Sequence, residues 1–124
     1  MSKAMVVDDS KAIRMILSKT LMEVGYEVCE AANGSEALSV FEREKTGISL
    51  VLVDWNMPQM NGLEFVKKLR SDPRYSSVIL MMVTTETQVE QMVQALEAGA
   101  NEYVMKPFTK EIIADKLRLL GVLQ

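Results

Sequence analysis

A chain of 124 residues, 48% hydrophobic and 25% charged, is large enough for one soluble globular domain with a real core, and its net charge of -3 gives no basic footprint for nucleic acid or an anionic membrane. The absence of histidine and the single cysteine, Cys29, exclude Ser-His-Asp and Cys-His catalysis, histidine-ligated zinc, an intrachain disulfide and a phosphohistidine carried by the chain itself. The longest apolar runs, such as Val78 to Val83, are too short to span a bilayer, and Asp8-Asp9 interrupt the amino terminus before a signal-peptide core can form, so a cytoplasmic location is expected.

Ala4 to Val7 is a short apolar run ending in Asp8-Asp9-Ser10, after which Ile13, Ile16, Leu17, Leu21 and Val24 recur at helical spacing until Gly25. Tyr26 to Ala31 alternates as an edge strand does, with Cys29 as a small buried hydrophobe. Asn33 with Glu36 has capping-box spacing, and Ala37, Leu38 and Phe41 stripe a second helix that ends before Gly47. Leu50-Val51-Leu52-Val53 reads as a strand buried on both faces, with Asp54 where the apolar run stops and Pro58, Asn61 and Gly62 breaking the chain into a loop. Asn61 with Glu64 caps a third helix striped by Leu63, Val66 and Leu69 and closed by Asp72-Pro73. Val78 to Val83 is a second fully buried strand, ending in Thr84-Thr85; Thr87 with Glu90 caps a fourth helix with the stripe Val89, Met92, Val93 and Leu96, stopped at Gly99. Glu102 to Met105 is a short fifth strand before Lys106-Pro107, and a last helix from about Thr109 carries Ile113, Leu117 and Leu120.

Five strand-helix alternations predict an α/β fold with a doubly wound five-stranded parallel sheet, and the flavodoxin-like order 2-1-3-4-5 is the common solution. That order makes the first and third strands neighbours where the winding reverses. Ligands bind in such a crevice outside the carboxyl ends of the strands, and here those ends carry Asp8, Asp9 and Asp54. Like charges gathered there call for a cation, and an all-oxygen ligand set without His or Cys favours Mg2+. Thr84 and Lys106 end the fourth and fifth strands at the same edge, offering a hydroxyl and an ammonium. An acid nucleophile, a metal, an ammonium and a hydroxyl around one point are the parts that phosphoryl transfer to a carboxylate requires.

Val6-Val7-Asp8-Asp9-Ser10, Asp54-Trp55-Asn56-Met57-Pro58, Asn61-Gly62, Val83-Thr84, Ala98-Gly99-Ala100 and Lys106-Pro107-Phe108-Thr109 run in order over nearly the whole length. In these motifs the chain resembles a receiver domain of a two-component response regulator, of the stand-alone, CheY-like chemotaxis type. The resemblance implies that Asp54 accepts a phosphoryl group from a phosphohistidine on a histidine kinase. It implies that Asp9, Asp54 and the Asn56 carbonyl ligate Mg2+ with Asp8 acting through water, and that Thr84 and Lys106 hold phosphoryl oxygens. Tyr103 would be the aromatic that moves with Thr84, and the Lys106-Pro107 bond would be cis. Trp55-Asn56 and Glu86 are details of the chemotaxis type, whereas Thr85 stands where many relatives carry a smaller residue.

A single receiver domain over residues 1–124 with no output domain implies that the signal leaves through a partner, such as a flagellar motor switch protein. The expected face is the fourth helix, fifth strand and fifth helix, carrying Tyr103, Lys110 and Lys116, on a monomer that binds neither nucleic acid nor membrane. Other single-domain receivers act in phosphorelays, and that reading stays open. A phosphohydrolase with an aspartyl-phosphate intermediate generally wants a second acid two residues after the nucleophile, where this chain has Asn56, so catalysis is expected to extend only to its own phosphorylation and dephosphorylation. A flavodoxin would want hydroxyls and small residues after the first strand, where this chain has two acids.

Overall fold

The computed structural model describes residues 2–44, 47–85 and 89–121. Its strands are β1 (Lys3–Val7), β2 (Glu27–Ala31), β3 (Ile48–Val53), β4 (Ile79–Thr84) and β5 (Glu102–Met105), and its helices are α1 (Lys11–Glu23), α2 (Gly34–Glu44), α3 (Gly62–Arg70), α4 (Val89–Ala98) and α5 (Lys110–Leu119). All strand pairs are parallel, in the order β2-β1-β3-β4-β5. The expected α/β winding is therefore the one observed.

Strand periodicity divides the core between the two faces of the sheet. Met5, Val7, Val51, Val53, Leu80, Met82 and Tyr103 pack with Phe41, Phe65, Leu69 and Ala95 from α2, α3 and α4. Ala4, Val6, Leu50, Leu52, Met81, Val83 and Val104 pack with Leu17, Leu21, Ile113 and Leu117 from α1 and α5. Both faces of β1, β3 and β4 are covered, which explains their unbroken apolar runs.

Local capping follows the sequence closely. Ser10 caps α1 by accepting from the Ile13 N–H, Thr109 caps α5 by accepting from the Ile112 N–H, and Asn61 and Glu64 form a reciprocal capping box on α3 at 2.9 and 3.1 Å. On α2 the Asn33 side chain accepts from the Glu36 N–H at 2.8 Å, but the Glu36 carboxylate reaches back to the Ala32 N–H instead of that of Asn33. The expected pairing of Thr87 with Glu90, and Glu86 itself, lie outside the described residues.

Several helix faces differ from expectation. On α4, Val89, Val93 and Leu96 point to solvent at 71%, 44% and 46% exposure, and the buried side is Ala95 with Met92 half-buried. On α1, Ile16 is half-exposed, and Ser18 and Thr20 are buried with Leu17 and Leu21. On α3 the predicted Val66 and Leu69 are fully buried, joined by Phe65, whereas Leu63 is only partly buried. Periodicity finds an apolar stripe but does not say that the stripe faces the sheet. After α3, Asp72 caps a 3-10 turn, Pro73–Tyr75, that the sequence reading did not foresee.

Candidate functional site

Register brings the site together. Val7 pairs with Val53, so the residues that follow, Asp8 and Asp54, leave the sheet side by side. The last ladder bonds, Asp54 N–H to Val7 O at 3.0 Å and Asp8 N–H to Ala31 O at 3.2 Å, fix both backbones at the point of departure. Thr84 pairs with Met105 at the end of β4 and β5, so Lys106 follows at the same edge, its N–H bonded to the Thr84 carbonyl at 2.9 Å. The Lys106-Pro107 peptide is cis, as the resemblance implied.

Carboxylate oxygens of Asp8, Asp9 and Asp54 all lie within 4.8 Å of one another. Asp8 is held on every side: Oδ1 accepts from the Ser10 N–H at 2.8 Å, Oδ2 from the Lys106 ammonium at 3.0 Å, and its carbonyl from Arg14 at 2.7 Å. Lys106 Nζ is also 3.5 Å from Asp54 Oδ2. Asp9 is exposed, and no hydrogen bond or ion pair restrains its carboxylate among the described residues. Asp54 is only 6% exposed, and its Oδ1 is buried without a hydrogen-bond partner among the described residues.

Burial is the main reason the Asp54 carboxyl is held above the usual carboxylate range. The Lys106 ammonium opposes that rise, the Asp8 charge adds to it, and the Thr84 hydroxyl and Asn56 N–H lower it less. An orphaned buried carboxylate oxygen beside an unrestrained exposed carboxylate is a donor set that fits a hard cation: oxygen ligands only, negative charge in excess of the single ammonium. Thr84 is fully buried next to Asp54, and Asn56 is exposed just beyond it.

The loop after Asp54 is packed against the start of α3. Gly62 donates to the Trp55 carbonyl at 2.8 Å, and a Cβ at position 62 would collide with the Asp54 carbonyl and lie 2.9 Å from Trp55 Cα. Glycine is needed there for close approach of two backbones. Trp55 itself is buried in the core, and so is Tyr103, which the resemblance has turning inward only on activation. Of the cations expected on the α4, β5 and α5 face, Lys116 pairs with Glu102 at 3.3 Å, but Lys110 pairs with Glu23 at 2.5 Å and so belongs to the α1 side.

Arg14 was not singled out from sequence. The signal that could have marked it is a lone cation within the apolar run Ala12, Ile13, Met15, Ile16 and Leu17 of α1.

The chain is therefore a doubly wound α/β protein whose parallel sheet gathers three carboxylates, an ammonium and a buried hydroxyl at its switch point. The chain belongs to the response regulator receiver domain family, whose match spans residues 4–118. It is 43% identical over 119 residues to chemotaxis protein CheY1 of Helicobacter pylori, covering 95% of each chain. It is 42% identical over 116 residues to the chemotaxis protein CheY homolog of Campylobacter jejuni, covering 93% of this chain and 88% of that one. Among solved structures, chemotaxis protein CheY4 of Vibrio cholerae superposes with a TM-score of 0.88 at 39% identity, covering 96% of this chain and 98% of that one. No helix among the described residues is long and apolar enough to cross a membrane.

Proposed function

We propose that this receiver accepts a phosphoryl group on Asp54 from a histidine kinase, with Mg2+ held by Asp9, Asp54 and the Asn56 carbonyl and with Asp8 acting through water. The observation that carries this reading is the meeting of Asp8, Asp9 and Asp54 within 4.8 Å around the ammonium of Lys106. A carboxylate oxygen of Asp54 forms the new P–O bond as the P–N bond of the phosphohistidine breaks, the leaving imidazole nitrogen keeping the electron pair. Bound Mg2+ supplies positive charge for the phosphoryl oxygens. Lys106 and the Thr84 hydroxyl then serve the same oxygens, which lets Lys106 exchange carboxylate partners for phosphoryl ones.

Asn56, two residues after the acceptor, brings no second carboxylate, so the chain is read as promoting its own phosphorylation and dephosphorylation and not as turning over external esters. Output passes to a partner over α4, β5 and α5. In support, Val89, Val93, Leu96, Met105 and Ile112 are exposed apolar residues of those elements, an arrangement suited to burial against another protein. The chemotaxis relatives make a flagellar motor switch protein the first partner to test, with a phosphorelay protein as the alternative.

The test is intact-mass measurement after incubation with acetyl phosphate. One phosphoryl adduct is expected on the wild type, only with Mg2+ present, and none on Asp54→Asn. Equal labelling of both proteins, or labelling in EDTA, removes the assignment.

A further inference from the structure

Arg14 sits outside the carboxylate cluster but holds its backbone. The peptide between Asp8 and Asp9 leaves the sheet: the Asp8 N–H makes the last bond to β2 and the Val7 carbonyl the last bond to β3. The Asp8 carbonyl comes after both β2 and β3 have ended, and it is met instead by Arg14 Nη1 at 2.7 Å. The Nε of the same guanidinium donates to Glu30 Oε1 on β2 at 3.1 Å. These two bonds fix the planar fork between α1 and the edge strand, with the arginine side chain 17% exposed.

The consequence falls on Asp9. With nothing among the described residues restraining its carboxylate, what the fold sets for Asp9 is the backbone direction from which its side chain leaves, and the oxygen of the peptide before it is what Arg14 holds. We infer that Arg14 is a positioning residue for the cation site, which presents Asp9 by locking the Asp8-Asp9 peptide, with Glu30 keeping the guanidinium in place. This rests on the Mg2+ reading above. Groups that orient ligands in this way commonly change metal affinity by about 10- to 100-fold when removed.

The experiment measures Mg2+ affinity directly, by calorimetry and by the emission of Trp55, for wild type, Arg14→Met, Arg14→Lys and Glu30→Gln, with Arg74→Met as a remote arginine control. Arg14→Met is expected to weaken Mg2+ binding about tenfold. It should raise the Mg2+ concentration needed for half-maximal labelling by acetyl phosphate while leaving the rate at saturating Mg2+ near that of wild type. Arg14→Lys, which cannot span both acceptors as a planar fork, should fall between; Glu30→Gln should lose less; Arg74→Met should match wild type. A merely structural role would lower urea stability without moving Mg2+ affinity. Wild-type affinity in Arg14→Met overturns the inference, and should that variant not fold, wild-type affinity in both Arg14→Lys and Glu30→Gln overturns it equally. A wild type that binds no Mg2+ at all fails the metal reading itself, a separate outcome.

Discussion

The ammonium of Lys106 lies 3.0 Å from Asp8 Oδ2, closer than its 3.5 Å from Asp54 Oδ2, so in this structure the lysine after β5 serves Asp8 first and Asp54 second. Removing it leaves two buried carboxylates facing each other without a cation between them. Lys106→Met is expected to lose on the order of 2 to 3 kcal/mol of stability in EDTA, less than a fully buried pair because the lysine is partly exposed. Saturating Mg2+ should recover much of that loss, since an ion that binds only the folded state stabilises it by mass action. Urea unfolding with and without Mg2+ measures both; an identical deficit in each would mean that cation and ammonium act in different places.

The pH dependence of stability follows from Asp54. Burial first, with the Asp8 charge adding to it against the pull of Lys106, raises the folded pKa above its ordinary 3.8. The folded chain therefore keeps this proton where the unfolded chain has released it. The stability so contributed is fully present below the unfolded pKa, is lost as pH rises through the folded one, and changes no further above that window. Asp54→Asn removes the effect. In EDTA the variant is expected to be more stable than wild type at neutral pH, with the gap closing on the acid side of the unfolded value. Parallel curves at all pH values would mean that Asp54 is not the group responsible.

Arg70 ties together segments far from the site. Its guanidinium donates to the carbonyls of Gly99, Tyr75, Ser76 and Val78 and to Asn101 Oδ1, at 2.6 to 3.3 Å. Asn101 Oδ1 also accepts from the Leu80 N–H at 2.8 Å, so one side chain anchors α3, the 3-10 turn, the start of β4 and the loop before β5. Gly99, at φ +120, leaves room for it where a Cβ would come 2.6 Å from Arg70 Cγ. Arg70→Ala should cost about 2 to 4 kcal/mol through carbonyls left unpaired. Low concentrations of guanidinium, added to a urea titration, should restore part of it. Phosphorylation of Asp54 in folded protein should continue.

Tyr103 bears on the switch. It is already buried here, so the proposed activation is a shift between buried arrangements of the ring and not its first entry. Beryllofluoride, a phosphoryl mimic, should slow amide exchange in β5 and at the flanking ends of α4 and α5. Tyr103→Ala should abolish most of that difference while leaving the uptake of phosphate from acetyl phosphate near wild type. Coupling of this kind is worth about 1 to 3 kcal/mol. Unchanged protection in the mutant would place the output on another face.

The order of elements, most of the caps and the residues that end each strand were legible from Asp8, Asp54, Thr84 and Lys106, because apolar periodicity and turn chemistry are local properties of the chain. Asn61 with Glu64 could be read as a capping box from spacing alone, for the same reason. Which way a helix turns its stripe was not legible. Val89, Val93 and Leu96 have core-like spacing on α4, yet they face outward because β4 and β5 are already covered on that side by Met92 and Ala95 with α3 and its neighbours. Lys110 likewise belonged to α5 from sequence, but its partner Glu23 is supplied by α1, a choice made by helix packing. Arg14 and Arg70 show the same limit most clearly: both act on backbone carbonyls, which every residue has, so their targets carry no mark in the sequence. At the site itself, the parallel register, setting Val7 beside Val53 and Thr84 beside Met105, decided that the Lys106 ammonium would meet Asp8 and Asp54.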